Sequence, residues 1–250
     1  VWHNEEPFVD PAAINTYLIC EQARSSNGVK VMLSGMGADE IFAGYRKHLS
    51  VQMAEHYKRL PGLLRNGLIE PLARRLPSAG SRGGYRTFRW AKRFFKSASL
   101  PTMDCFIGNS SFYSADEMDV LMTDDYRVAR ESSYTKLRHD ELLASWPSTD
   151  PVSAMTYLDT KLFLPSLNLA YSDKSSMAAS VEVRVPFVDH EVVAYALNTP
   201  SRDRIRGLKQ KHILRQVARR YLPAEIVQRP KAPFGAPLRA WMRHDLRELL

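Results

Sequence analysis

Apolar positions recur along most of the chain at the three- and four-residue spacing of helices, and one run near its start breaks that rhythm. Residues 11–27 carry a helical pattern that ends at Asn27-Gly28, a common helix stop because glycine accepts the left-handed backbone. The run Val29-Lys30-Val31-Met32-Leu33 is short, partly β-branched and bounded by Gly28 and Gly35, which predicts a buried parallel strand. Ser34-Gly35-Met36-Gly37 then predicts a tight connection whose glycines let backbone amides approach a ligand closely. Ala38 to Tyr45 predicts a helix start with Asp39 and Glu40 in its first turn. Two readings of these acids stand side by side. They complement a helix dipole, or they belong to a phosphate and metal site at the carboxyl end of a strand, where open α/β sheets bind ligands.

After Tyr45 the pattern is strongly helical. Pro61-Gly62 and residues 77–84 punctuate it, the latter reading as the most flexible segment. Ser148-Thr-Asp-Pro151 predicts a helix start with proline in the first turn, followed by Val152, Met155, Leu158 and Leu162 at helical spacing. Val192, Val193, Ala196 and Leu197 form a stripe after Asp189, and Ile213, Leu214 and Val217 form another. Leu238, Trp241, Met242, Leu246 and Leu249 form the last. Neither an internal repeat nor a low-complexity tract is present. One strand makes no sheet, so the rest of the sheet either precedes residue 1 or is weakly patterned, and the first is the expectation. Both ends read as cut: Val1-Trp2-His3-Asn4 opens without methionine, and Leu246 to Leu250 stop inside an amphipathic stretch. The expected architecture is a small α/β edge followed by a helical body.

Length and composition change this picture little. The 250 residues, 44% hydrophobic and 25% charged, describe a globular chain able to bury a core as one large domain or two small ones. No apolar run has the length of a membrane span and no signal peptide opens the chain, so no membrane association is expected. Cys20 and Cys105 are too few for a disulfide framework and lie in no metal-ligand spacing, which makes a cytoplasmic location the expectation. The net charge of +8 owes much to residues 82–96, where basic and aromatic residues interleave. Such a segment could line a nucleic-acid groove. Phe88, Trp90, Phe94 and Phe95 also fit a helix that buries its rings while arginines extend outward. No RNA-binding signature surrounds them, and no nucleic-acid partner is expected.

Three polar segments interrupt the helices. The first is Ser34 to Glu40. The second is Asp173-Lys-Ser-Ser-Met-Ala-Ala-Ser-Val-Glu-Val-Arg-Val-Pro-Phe-Val-Asp189, in which Glu182 and Arg184, two apart, point the same way from an extended chain. They serve either as an ion pair with neighbouring helices or as part of a site. The third is Gln228-Arg-Pro-Lys-Ala-Pro-Phe-Gly-Ala-Pro237, whose Lys231 either presents a point charge to phosphate or is solvated loop.

Together with Glu6-Pro7 and Asp10, the runs SGMGADEIFAGY, DKSSMAASVEVRVPFVDH and RPKAPFGAPLRAW resemble the synthetase domain of the glutamine-dependent asparagine synthetase family. The resemblance covers nearly the whole chain, so residues 1–250 are expected to be the C-terminal part of such a domain. It implies an α/β ATP-pyrophosphatase fold (adenine nucleotide α-hydrolase-like), of which this chain would hold an incomplete parallel sheet edge and a predominantly helical body. It also implies a cytoplasmic ligase of amino-acid biosynthesis, with ATP and magnesium as cofactors. A carboxylate, aspartate in the family, is activated as an acyl-adenylate with loss of pyrophosphate. Ammonia from a glutaminase domain of the same parent chain then displaces AMP. Carried over by position, Ser34, Gly35 and Gly37 would contact ATP, and Asp39 would hold magnesium. Lys231 would neutralise developing phosphate charge, and Met36, Glu40 and Glu182 would line the intermediate pocket. A homodimer is compatible with this reading.

Two departures follow. Neither the family's Ser-Gly-Gly-x-Asp-Ser nucleotide loop nor its glutaminase cysteine lies within these residues, so the chain alone is expected to be inactive. The family usually carries an acid where this chain has Met36, and methionine neither titrates nor accepts a strong hydrogen bond. Either Glu40 or Glu182 takes over that acid's work, or the acceptor is another carboxylate, on a sugar or a peptide. The rival to an enzyme is a scaffold that keeps the fold and binds a partner through residues 82–96.

Overall fold

The computed structural model describes residues 2–8, 10–75, 91, 94, 95, 97–111, 113, 115–125, 134–230 and 234–249. In chain order the elements used below are α1 (Ala12–Asn27), β1 (Val31–Leu33), α2 (Ala38–Ile41), α3 (Arg46–Lys58), α4 (Thr102–Ser110), α5 (Tyr134–Ala144), α6 (Pro151–Leu158), α7 (Ala170–Ala178), β2 (Glu182–Arg184), α8 (His190–Asn198) and α9 (His212–Ala218). The chain divides into two compact units. The first comprises Val1–Phe42, Asp159–Thr199 and His212–Leu250; the second comprises Ala43–Leu158 and Pro200–Lys211.

The first unit is built on α1, α7 and the two strands. Asp10 caps α1 by accepting the Ala12 N–H at 2.9 Å, and Gly28, at φ 64°, closes it with its N–H on the Arg24 carbonyl. Both ends of α1 therefore fall where the sequence puts them. Its buried positions Ala12, Ala13, Thr16 and Cys20 are small, which lets α7 lie close against it. β1 pairs in parallel with β2 in the register Val31↔Glu182, Met32↔Val183 and Leu33↔Arg184. Met32 and Val183 turn inward onto Cys20, Ala179 and Val181, while the alternate positions are exposed.

One strand of the remaining sheet thus lies within the chain, as the weakly patterned alternative has it. β2 escaped notice for a physical reason. It is three residues long, and two of them are charged and face outward, so no apolar run marks it. The predicted strand over 29–33 also shortens to 31–33, and the predicted helix from Ala38 ends at Ile41, with α3 starting at Arg46.

Asp189 caps α8, accepting the Glu191 N–H at 2.9 Å, and the predicted stripe there is real: Val192, Val193 and Ala196 pack with Ile41, Phe42 and Phe187. Ile213 and Leu214 of α9 join the same cluster. The last predicted helix is shorter than its stripe. It runs Leu238–Arg243, and His244 leaves helical geometry at φ −124°, ψ −76° before a 3₁₀ turn at Arg247–Leu249.

In the second unit α3 packs on α4 and α6. Ala54, Tyr57, Phe94, Ala98 and Cys105 form a core, and Tyr57 meets both Phe94 and Phe95 edge to face. These two rings behave as the helical-face reading of residues 82–96 expects. Phe88 and Trp90 lie outside the described residues, as does the segment 77–84. Asp150 accepts the Ser153 N–H at 2.7 Å and starts α6, the predicted proline-led helix, with Val152, Met155 and Leu158 buried. Beyond it the backbone widens to a π-helical stretch over Asp159–Leu169, in which Pro165 lacks a donor.

A buried polar network ties residues 200–211 to α6. Arg204 is wholly buried and donates to Thr156 Oγ1 at 2.6 Å and to Ser153 Oγ. Ser201 links this group to Asp150. Gln210 donates to the carbonyls of Ala43 and Tyr45 at 3.2 and 2.5 Å. Burial pulls the Arg204 guanidinium down to about 10, with the charge of Asp150 partly opposing the shift. A value of about 10 still leaves the guanidinium charged at neutral pH. Arg204→Ala should therefore destabilise the chain by about 2–4 kcal/mol in urea unfolding followed by circular dichroism. Arg204→Met, which fills the space without stranding a charge, should cost less.

Candidate functional site

Ser34 to Glu40 leaves the carboxyl end of β1, and its shape is set by neighbours on every side. The Ser34 N–H donates to the Arg184 carbonyl at 2.8 Å, which extends the ladder one residue past the strands. Ser34 Oγ accepts the Met36 N–H at 3.3 Å, a local turn that leaves its own O–H to donate elsewhere. Gly35 is exposed, and a Cβ there would meet nothing within 4 Å. Gly37 is different. Its φ is 90°, and a Cβ would fall 2.6 Å from Val188 Cγ2, so both backbone and space demand glycine.

Met36 packs with Phe8 and Leu167 against Ala12, Ala13 and Tyr171. Four residues on, Glu40 is 1% exposed and accepts the Asn168 side-chain amide at 2.5 Å. Asn168 comes from the π-helical stretch, whose wider turns carry this amide to a buried acid. Asp39, one residue before, is half-buried. α2 is a single turn of four residues, so a dipole summed over a long helix is not what these acids answer to. Ile41 and Phe42 then drop into the α8 cluster, with Phe42 edge to face on Phe187 at 6.4 Å.

Glu182 and Arg184 form an exposed ion pair at 2.7 Å, as two residues on one side of an extended strand should. The pair is made between the two residues rather than with neighbouring helices. Its hydrogen bond and charge hold the Glu182 carboxyl below its ordinary value and raise Arg184. The register sets Arg184 opposite Leu33, next to the loop, and Glu182 two residues farther back. Sequence reasoning weighed both residues as an ion pair or part of a site and carried only Glu182 into the pocket; the strand pairing that distinguishes them is not visible in the spacing. Lys231 lies outside the described residues. Ser34, Gly35, Met36 and Gly37 form the connection and Asp39 and Glu40 the helical turn after it, while Glu182 lies opposite Val31, two residues back along the ladder.

Tyr171 is the functional-group neighbour that sequence reasoning missed. It sits in α7 within the Met36 cluster, edge to face with Phe8 at 6.5 Å. Burial, and then the charges of Asp10 and Glu40, push its hydroxyl up to about 12.

Among the described residues, no group of three or more His, Cys, Asp or Glu gathers as a metal cage, and no helix is long and apolar enough to cross a membrane. Cys20 and Cys105 are buried free thiols.

The sequence model of the family described as asparagine synthase matches residues 1–250. The chain belongs to that family. It is 29% identical to asparagine synthetase [glutamine-hydrolyzing] 1 of Bacillus subtilis strain 168, over 99% of this chain and 37% of the relative. It is 32% identical to a putative asparagine synthetase [glutamine-hydrolyzing] of Mycobacterium tuberculosis strain H37Rv, over 97% of this chain and 35% of the relative. It is also 24% identical to amidase chyE of Penicillium rubens, over 96% of this chain and 37% of that protein. The chain therefore spans little more than a third of the length of these relatives. No solved structure matches it.

Tyr171 gives this family member a pH signature. Its folded value of about 12 lies above the ordinary 10, so the neutral phenol is favoured by folding. The stabilisation is complete below the unfolded value and is lost as pH rises from about 10 towards about 12. Urea unfolding from about pH 9 to about pH 12 should show a steeper loss of stability for the unmodified chain than for Tyr171→Phe.

Proposed function

We propose that the chain is the C-terminal synthetase part of a longer enzyme that makes an amide from a carboxylate, ATP and ammonia. The carboxylate oxygen attacks the α-phosphorus of ATP, giving an acyl-adenylate and pyrophosphate. Ammonia, released from glutamine by a glutaminase domain of the same protein, attacks the acyl carbon; AMP leaves and a proton is lost. An ATP-pyrophosphatase fold goes with this reading. The observation that carries it is the Ser34–Gly37 connection at the carboxyl end of two parallel strands, with Asp39 immediately behind it, in a member of the asparagine synthase family.

Each residue has a task in this reading. Ser34 donates its free O–H, and the amides of Gly35 and Gly37 donate from the backbone, to phosphate oxygens. Lys231 supplies a point charge as negative charge grows on the departing pyrophosphate. Magnesium characteristically takes one or two carboxylates together with phosphate oxygens and water. The single carboxylate of Asp39 suits that sparse mode, and a bound ion would neutralise pyrophosphate charge.

The proton released by ammonia needs an acceptor. Glu40 is buried against Asn168, Glu182 is paired with Arg184, and Met36 cannot serve. The family resemblance implies aspartate as the carboxylate. The packing of Met36 among Phe8, Leu167 and Tyr171 favours a second reading, in which a different carboxylate, on a sugar or a peptide, is the acceptor.

ATP–pyrophosphate exchange on the protein carrying this chain with its upstream segment tests the first step. Asp39→Asn should lower exchange by about a hundredfold while the thermal midpoint stays near that of the unmodified protein. Equal exchange would remove Asp39 from the site, and no exchange with any carboxylate would favour a non-catalytic scaffold. The acceptor is read in the same preparation by supplying ATP, ammonia and aspartate. Asparagine from the unmodified protein assigns aspartate; asparagine only from Met36→Glu assigns another acceptor.

A further inference from the structure

Residues 2–8 run ahead of α1 and are bonded to the first unit through one side chain of α7. Lys174 Nζ donates to the Asn4 carbonyl and to the Glu5 carboxylate, both at 2.9 Å, and stands 5.9 Å from the centre of the Phe8 ring. The lysine thus answers a carbonyl, a carboxylate and an aromatic face on one short segment. Among the described residues, no other hydrogen bond ties 2–8 to the rest of the unit. The backbone bends sharply at this point. Glu5 has φ 62°, a left-handed geometry that a residue with a Cβ adopts at a cost.

What this segment carries is Phe8. Its ring meets Tyr171 edge to face, and Tyr171 lies three residues before Lys174, on the same side of α7. Phe8 also packs with Met36 and Leu167 over Ala12 and Ala13. The cluster has two layers. Ala12, Ala13 and Tyr171 are buried, whereas Phe8, Met36 and Leu167 are each half-buried and keep part of their surface toward solvent. Met36 is fixed by the turn at Ser34 and by Gly37, and Leu167 by the π-helical stretch. Phe8 belongs to neither helix nor strand, so its place depends on what pins the segment.

We infer that Lys174 is a positioning residue for the acceptor carboxylate: by pinning Asn4 and Glu5 it keeps Phe8 beside Met36, where the ring completes the apolar wall against which the acceptor's carbon skeleton lies. The inference rests on the amidation reading, which sets Met36 in the intermediate pocket. Lys174 itself touches no reacting atom. Its influence falls on the acceptor and spares ATP, because the Ser34–Gly37 amides and Asp39 are placed by β1, β2 and α2 without it.

The protein carrying this chain with its upstream segment allows latch and wall to be read separately. Cleavage after Glu5 by a glutamyl endopeptidase reads the latch. Lys174→Met should be cut there faster than the unmodified protein, and Lys174→Arg, which keeps the charge, at an unchanged rate. ATP–pyrophosphate exchange with aspartate, glucuronate and N-acetylaspartate α-methylamide, one carboxylate for each acceptor considered above, reads the wall. For whichever supports exchange, Lys174→Met should raise the acceptor's KM about tenfold, as loss of an apolar contact in a pocket does, with kcat and the KM for ATP unchanged. Phe8→Ala should do the same, and the double variant should be no worse than Phe8→Ala, because Lys174 acts through that ring. Lys174→Arg should keep the KM of the unmodified protein. Faster cleavage with an unchanged acceptor KM overturns the inference and leaves the amidation reading standing, and so does a Lys174→Met effect that adds to that of Phe8→Ala. Equal cleavage of Lys174→Met and the unmodified protein overturns it as well. Exchange with none of the three carboxylates removes the amidation reading and this inference with it.

Discussion

Three residues of parallel pairing hold the candidate loop in place. Hydrogen bonds from Glu182 N–H to the Lys30 carbonyl and from Ser34 N–H to the Arg184 carbonyl, both 2.8 Å, bracket the ladder at its two ends. A two-stranded ladder this short has little stability of its own. It persists because Met32 and Val183 are pressed onto Cys20, Ala179 and Val181, and because the small residues of α1 let α7 close over that face. The loop inherits this rigidity. Leu33 ends in register with Arg184, Gly37 has room only as glycine beneath Val188, and Met36 and Phe42 are anchored in separate apolar clusters on either side.

Both units also fix a charged-type side chain in their interior by hydrogen bonds. Glu40 meets an amide; Arg204 meets hydroxyls. Such groups tolerate little rearrangement, since moving one strands it in a place without water. The loop acid is therefore held by the π-helical stretch through Asn168, and residues 200–211 are held to α6 through Arg204.

Local signals were legible in the sequence wherever a few neighbouring residues decide the structure. Gly28, Asp150 and Asp189 end or begin their helices as their types require, and the stripe on α8 is buried as its spacing says. The Ser34–Glu40 segment was legible as a loop between strand and helix for the same reason. What stayed hidden depends on residues far apart in sequence. β2 is a strand only because β1 lies beside it, and nothing in Glu-Val-Arg alone announces that. The pairing of Glu40 with Asn168 spans 128 residues. The apolar setting of Met36 depends on Phe8 and Tyr171, which come from two other segments. The shortening of the last helix turns on the backbone at His244, a residue type with no breaking tendency of its own.

The division of the chain bears on how it comes to be folded at all. The backbone passes between the units at residues 42–43, 158–159, 199–200 and 211–212, so the first unit is assembled from three separated stretches. During synthesis β1 is made long before β2, and the second unit's 43–158 segment is completed in between. Until residue 184 has emerged, β1 lacks its pairing with β2, and the Ser34 N–H lacks the Arg184 carbonyl that frames the turn. Closing so long a loop to bring β1 and β2 together makes this pairing slow to form. The order of synthesis thus delays the loop's final shape until Arg184, one of its framing residues, is in place.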